Sequence, residues 1–233
     1  MSKSRREIQR EQTTLEIKEV ARKQMAETGA AALSLRAIAR EMKMSTPALY
    51  RYFENRDALV TALIIDAYTA LGDAMLAAIE RVEETDFYGR FQTVAHAFRE
   101  WGMENRADFT LIYGTPIPGY HAPGELTIPV AGRILEIIGL IFTTAYHQGK
   151  LNIPSQYANL PEDMAAIITH LHQQLNRPDV PEIVITLTMY TLPRIYGLVW
   201  AEQYGHFPIG FADSGYFYTL EIDAMCAHFG LIR

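Results

Sequence analysis

Apolar residues in this chain recur every three or four positions far more often than every two. That is the period of a helix buried along one face, not of a strand. The pattern predicts a first helix from about Thr13 to Thr28, with Ile17, Val20, Ala21 and Met25 on one side. Thr13-Thr14-Leu15-Glu16 reads as its capping box, and Gly29 ends it where a positive φ is cheap. Ser34 caps a second helix through about Met42, whose inner face is Leu35, Ile38, Ala39 and Met42. After the break Lys43-Met44-Ser45, a third helix runs from Thr46 to about Tyr52, with Pro47 at its first position, where a missing N–H costs nothing. Asn55 caps a fourth that continues to about Glu83 on a stripe of Leu59, Leu63, Tyr68, Leu71, Met75 and Ile79.

The remainder also reads as helices: about Tyr88 to Asn105, Arg106 to Tyr113, Thr127 to Gln148, Pro161 to Leu175, Pro181 to Tyr204 and Ser214 to Phe229. Pro129 falls in the first turn of its helix, and Pro193 is expected to kink or split its own. Thr115 to Gly124, with Pro116, Pro118, Gly119 and Pro123, reads as a loop, and residues 149–160 as a linker. The fold class is therefore all-α. No linker composition interrupts Tyr50 to Val82, so the front segment shares a helix with the body of the chain.

Charge divides the chain in two. The whole has a formal net charge of −6, which alone argues against a nucleic-acid partner. Residues 1–60, however, hold twelve Lys/Arg against eight Asp/Glu, and residues 61–233 hold nine against nineteen. A basic front on an acidic body points to an anionic partner for the front. The single cysteine, Cys226, cannot form an internal disulfide and reads as a small buried hydrophobe in a reducing compartment. Met1 to Gln12 is polar, so no signal-peptide pattern is present. The longest apolar stretch, Ile128 to Tyr146, is broken by Arg133 and Glu136 and falls short of a clean spanning helix. The expectation is a cytoplasmic protein that does not use a membrane.

Two short helices around a tight break form a helix-turn-helix, which lays its second helix in a DNA major groove. Ser45 and Thr46 at the start of that helix, with Tyr50, Arg51 and Tyr52 at its end, supply hydrogen-bond donors for phosphates or base edges. Arg36 and Arg56, each opening a neighbouring helix, flank the same face. Lys3, Arg5, Arg6 and Arg10 read equally as a DNA-contacting arm or as a disordered tail.

The run from Gly29 to Leu59 resembles the DNA-binding domain of TetR-family transcriptional regulators. The resemblance rests on Ile38-Ala39, Ser45, Leu49-Tyr50, Tyr52-Phe53, Asp57 and Leu59. The chain departs from the family pattern at Lys43, where a turn Gly is usual and a left-handed conformation is required of the lysine. It also departs at Pro47, a common Gly position, and at Arg56, which replaces Lys. The resemblance implies a DNA-reading domain over residues 1–60 and a helical ligand-binding and dimerisation domain over 61–233. It places Arg36, Ser45, Thr46, Pro47, Ala48, Tyr50, Arg51, Tyr52 and Arg56 at the DNA, with Leu49 and Phe53 buried beneath. Within the body, Tyr113 to Tyr120 and Gly197-Leu198-Val199 with Glu202 and Gly205-His206 resemble an actinobacterial subgroup named for a Trp-His-Gly motif. Gly197 matches that motif, while Tyr196 and Leu192 replace its His and Trp.

No catalytic or metal-binding pattern stands out. His170 and His172 are two apart and face different ways on a helix, and there is no HExxH, Gly-rich phosphate loop or GxSxG elbow. No cofactor is expected. His96, Trp101, Tyr113, Tyr146, His147, Tyr190, Tyr196 and Trp200 are the candidate residues for an apolar or aromatic effector, since such sites are mostly apolar with a few placed polar groups. Apolar residues in excess of one core face place homodimerisation on about 181–204 and 214–229. The expected function is a ligand-released repressor that binds a palindromic DNA operator as a homodimer. A same-fold activator and an all-α protein–protein adaptor are the alternatives.

Overall fold

The computed structural model describes residues 3–158, 160–175, 177–208 and 215–231. Among these residues no strand occurs. Eleven α-helices succeed one another: α1 (Arg5–Thr28), α2 (Leu35–Glu41), α3 (Thr46–Tyr50), α4 (Arg56–Ile79), α5 (Phe87–Glu104), α6 (Arg106–Tyr113), α7 (Gly124–His147), α8 (Ser155–Ala158), α9 (Glu162–Leu175), α10 (Glu182–Gln203) and α11 (Tyr216–His228). A short 3-10 turn, Ala30–Ala32, joins α1 to α2.

The chain forms two compact units. The first comprises residues 1–68 together with 105–130, and the second comprises 69–104 together with 131–233. Helices α4 and α7 therefore each belong to both. In the first unit, Ile17, Ala21 and Met25 of α1 meet Ile38 of α2, Leu49 of α3 and Leu59 and Leu63 of α4 in a buried cluster. Leu111, Ile112, Ile117 and Tyr120, from α6 and the loop after it, pack against that cluster. The second unit is built on Phe91 and Phe98 of α5, Ile134, Ile138 and Phe142 of α7, Leu187 and Ile195 of α10, and Ile222 and Met225 of α11, all fully buried or nearly so. Its inner ion pair joins Arg99 Nε to Glu202 Oε2 at 2.7 Å. Cys226 is buried there and its thiol is pushed up to about 12 by that burial, so it stays protonated.

Several elements differ from the sequence expectation. Helix α1 starts eight residues before Thr13: Ser4 Oγ accepts the Glu7 N–H, and the Glu7 carboxylate accepts the Ser4 N–H in return. The hydroxyl of Thr13 instead donates to the Gln9 carbonyl inside the helix. Arg5, Arg6 and Arg10 are thus helical rather than a disordered tail. Helix α3 ends at Tyr50 with Arg51 as its C-cap, and Ser45 caps it, so Pro47 is its second residue. Helix α4 ends at Ile79 rather than near Glu83.

In α7, which begins at Gly124, Pro129 lies inside rather than in the first turn. The local loss of one backbone bond is outweighed by the buried residues further along the helix. Helix α8 occupies part of the expected 149–160 linker. Helix α10 runs unbroken through Pro193. The expected start of the last helix, Ser214, lies outside the described residues.

By length and composition α4, α7 and α10 are each apolar enough to cross a membrane, which corrects the reading of Ile128 to Tyr146 as too interrupted. Part of that apolar surface is buried in the core, and part, such as Leu140 of α7 and Met189 of α10, is exposed. Arg133, one of the two interruptions, pairs with Asp73 at 2.7 Å.

Candidate nucleic-acid interface

Three side-chain caps fix the helix starts around the turn. Ser34 Oγ accepts from Ala37 N, Ser45 Oγ from Ala48 N, and Asn55 Oδ1 from Ala58 N. Between α2 and α3, Lys43 adopts φ 54°, the one positive-φ residue other than glycine among those described. Its N–H donates to the Arg40 carbonyl and that of Met44 to the Ala39 carbonyl, so the two bonds close a Schellman motif. Lys43 is the left-handed residue of that motif, in the position where glycine avoids a Cβ clash. Lysine accepts the conformation because its side chain is exposed and has room to leave the turn.

Leu49 and Phe53 are buried against the cluster beneath α3, and this fixes which residues α3 and its C-cap present outward. Tyr50 is 44% exposed and Arg51 is exposed. Ser45 and Pro47 are exposed, and Thr46 and Ala48 are half-buried. Arg36 is exposed and has no ion-pair partner among the described residues.

Two of the nine candidates are held differently from what their composition implies. Arg56 directs Nη2 to the carbonyls of Ala30 and Ala31, at 3.1 and 2.9 Å, so its charge is largely occupied in fixing the 3-10 turn. Tyr52 is half-buried, with the Arg10 guanidinium 5.9 Å from its ring centroid. Arg10 Nη2 also lies 3.4 Å from the Arg51 carbonyl oxygen. The sequence placed Arg10 in either a DNA-contacting arm or a disordered tail and did not foresee its docking on the end of α3. The signal was Ser4-x-x-Glu7, a second capping box upstream of the Thr13 one, which carries the helix through Arg10.

Behind α3 the first unit is tied by charge. Lys18 pairs with Asp66 at 2.8 Å, and Arg22 reaches both Asp66 of α4, at 3.3 Å, and Asp108 of α6, at 2.8 Å. Burial pushes the Asp108 carboxyl above its ordinary range, and the Arg22 guanidinium opposes that rise. Thr61 and Tyr120 share a hydroxyl–hydroxyl bond of 2.9 Å.

A helix-turn-helix with buried Leu49 and Phe53 and outward Tyr50 and Arg51 is matched by the comparisons with known proteins. Residues 17–63 match the model for bacterial regulatory proteins of the tetR family. Residues 91–225 match that for a tetracyclin repressor-like C-terminal domain. The HTH-type transcriptional regulator Rv1816 of Mycobacterium tuberculosis is 33% identical over 198 residues, covering 85% of this chain and 83% of that protein. The chain belongs to the TetR family. It is a DNA-binding transcriptional regulator.

Solved structures share the fold of this TetR-family chain. The crystal structure of regulatory protein SCO4313 superposes with a TM-score of 0.76 at 32% identity, covering 96% of this chain and all of that one. A tetR-family regulatory protein from Rhodococcus RHA1 shares the fold at 14% identity, with a TM-score of 0.65 over 94% of this chain and 98% of that one.

The eight effector candidates of this TetR-family chain do not converge. Tyr113 belongs to the first unit, against Tyr68 and Phe109. Tyr146, His147, Tyr190 and Trp200 are on the surface. His147 Nε2 lies 2.8 Å from the Asp179 carbonyl oxygen, Tyr190 lies under Arg194, and Trp200 stacks on His206. Tyr196 is half-buried. Trp101 is buried, and half-buried His96 meets the ring of Tyr218 edge-on; burial lowers the pKa of this imidazole. Composition did not single out Thr143 of α7 and Thr188 of α10. Both are buried, and neither hydroxyl has a hydrogen-bond partner among the described residues, whereas Thr144, Thr186 and Thr191 each donate to the carbonyl four residues back.

Proposed function

We propose that this regulator is a homodimeric, ligand-released repressor of the cytoplasm that reads a palindromic operator. Arg36, Ser45, Thr46, Pro47, Ala48, Tyr50, Arg51 and Tyr52 form the DNA-facing surface, and Arg56 supports it from behind. The observation that carries this reading is the polarity of α3: Leu49 and Phe53 are anchored inward while Tyr50 and Arg51 stand in solvent. Arg51 supplies a planar fork for a base edge or a phosphate. Two such helices, one per subunit, would meet successive major grooves about 34–36 Å apart.

Dimerisation through α10 and α11 is supported by their outward apolar residues. Met189, Tyr190, Trp200 and Tyr204 at α10 and Tyr216 and Leu220 on α11 are all exposed in the single chain. The effector is a small, largely apolar molecule held in the second unit. His96 and Trp101 are the candidates that lie inward, and the unpartnered hydroxyls of Thr143 and Thr188 are the polar atoms an otherwise apolar seam offers to a ligand. An added Cβ at Gly139, one turn before Thr143, would lie 3.5 Å from Thr188 Oγ1, so the Thr188 hydroxyl faces α7. Release works by differential affinity: the effector prefers a state in which α4 and α6 no longer hold the recognition helices at operator spacing. Gly197, which matches the Gly of the motif, is the residue that favours placing the body in the Trp-His-Gly subgroup.

Selection from random-sequence DNA, with gel shift on the selected pool, tests the reading. A palindromic site bound by two chains supports it, and absence of any enriched sequence overturns it.

A further inference from the structure

We propose that the opening turns of α1 form a second DNA-binding site, in which Arg5 and Arg6 hold the phosphate backbone beside the recognition helix, and that Arg10 is the positioning residue that sets them there. This rests on the recognition surface described above and extends it to a segment outside residues 17–63, where the family model matches.

Helix α1 begins at Arg5, but its first buried residue is Ile17. The exposed stretch between them is about 18 Å of helix at 1.5 Å per residue, and burial of a core face does not account for it. Its start is nonetheless fixed by the reciprocal Ser4–Glu7 cap. Its far side is fixed by Arg10, whose guanidinium meets the Arg51 carbonyl and the face of Tyr52 at the end of α3. The extension is therefore docked against the carboxy-terminal end of the recognition helix.

The charges of the segment are not all neutralised by one another. Glu7 is engaged with the Ser4 N–H, at 2.7 Å, and Glu11 with Lys3. Among the described residues neither Arg5 nor Arg6 has an ion-pair partner. Arg6 is four residues before Arg10, hence on the same face and about 6 Å further along the axis. Two guanidinium groups within a turn and a half of Arg10, which itself meets the Arg51 carbonyl, are reinforced by the positive end of the helix and match a run of phosphates. They carry no base information of their own, so their effect is on affinity and salt dependence rather than on sequence. Arg10 acts through its neighbours: it fixes the backbone at Arg51 and so the direction from which that side chain approaches a base.

The test uses the full chain and its selected site in gel shifts across a salt series. The double variant Arg5→Ala/Arg6→Ala is expected to lower the slope of log K against log salt by about two per subunit and to weaken binding at least tenfold near 0.15 M salt, with base preferences unchanged. Arg10→Ala is expected to relax base preference at the position facing Arg51, and Arg10→Lys, which keeps a donor for the Arg51 carbonyl, to restore it. Thermal unfolding of each variant checks the fold. An unchanged salt slope in the double variant overturns the phosphate site, and unchanged base preference in Arg10→Ala overturns the positioning role. Arg51→Ala in the same assay separates the two readings. If it loses specific binding while the double variant does not, only the α1 site falls; if neither changes, the recognition surface falls too.

Discussion

Arg22 Nε donates to both carboxylate oxygens of Asp108, at 3.0 and 2.8 Å, while Nη2 of the same guanidinium reaches Asp66. One side chain of α1 therefore holds α6 and α4 at once. The partners differ in burial: Asp108 is 8% exposed, whereas the Arg22 side chain is 30% exposed. Removing the cation should accordingly cost more than removing the anion. Arg22→Leu strands a buried carboxylate and is expected to destabilise the protein by about 2 kcal/mol at pH 7. Asp108→Asn leaves Arg22 with Asp66 and water and is expected to cost under about 1 kcal/mol. In the Arg22→Leu chain the folded carboxyl binds its proton more tightly than the unfolded one. The loss therefore shrinks as pH falls toward 4 and both states become protonated. Urea unfolding of the two variants at pH 7 and pH 4 measures this, and equal losses for both would contradict it.

Lys43 makes the turn at the cost of a left-handed backbone. Lys43→Gly is expected to raise stability by about 0.5–1 kcal/mol, the relief of Cβ strain being partly offset by the greater freedom of glycine in the unfolded chain. Lys43→Val, branched at Cβ, should lose more than that. Chemical denaturation decides, and a less stable glycine variant would show that the turn carries no strain.

Arg51 and Arg56 separate reading from support. Arg51→Ala should lower operator affinity at least tenfold without changing the melting temperature. Arg56→Ala frees the carbonyls of Ala30 and Ala31 and should cost about 1–2 kcal/mol of stability. Paired binding and melting measurements test the contrast, which an unstable Arg51→Ala protein would break.

The lowered pKa of His96 makes a pH prediction with a definite sign. Its folded imidazole takes up a proton less readily than the unfolded one, whose value is near 6.5. Stability from this group is present above that pH and is lost as pH falls below it. His96→Gln should flatten the decline in melting temperature between pH 7 and pH 5. Parallel curves for the two proteins would remove His96 as the cause.

The apolar outer faces of α10 and α11 predict the assembly. Leu220→Glu places a charge on the proposed dimer face, at a side chain already exposed in the single chain. It should yield a folded monomer by light scattering at micromolar concentration, with operator affinity reduced at least a hundredfold. A variant that remains dimeric moves the interface elsewhere.

The helices and the turn could be read from sequence because their signals are local. Ser34, Ser45 and Asn55 cap where their residue types indicate, and Lys43 takes the conformation its place in the turn requires. What could not be read depended on partners distant in sequence. Two capping boxes compete in α1, and only contacts made by Arg10 and the upstream turns distinguish them. Pro193 looks like a breaker until the packing on both sides of it is known. Aromatic residues such as Tyr190 and Trp200 look like pocket lining, yet both are exposed, Tyr190 tilted against Tyr157 and Trp200 stacked on His206, because composition does not say which side of a helix faces the core. Thr143 and Thr188 became visible only when their hydroxyls proved to lack the bond to the preceding turn that other threonines here make.

The first unit is assembled from two stretches of chain. Residues 105–130 pack Ala107, Leu111, Ile112, Ile117 and Tyr120 against the cluster that holds Ile17 and Leu63. The reading head is consequently not a cassette that can be lifted out by a single cut. A fragment ending at the close of α4 would expose the surface that Leu111, Ile112 and Tyr120 now shield, and would lose the anchor of Arg22 on Asp108. Transplanting the operator preference of this regulator onto another body would require moving both stretches together, or confining the exchange to the outward residues of α3.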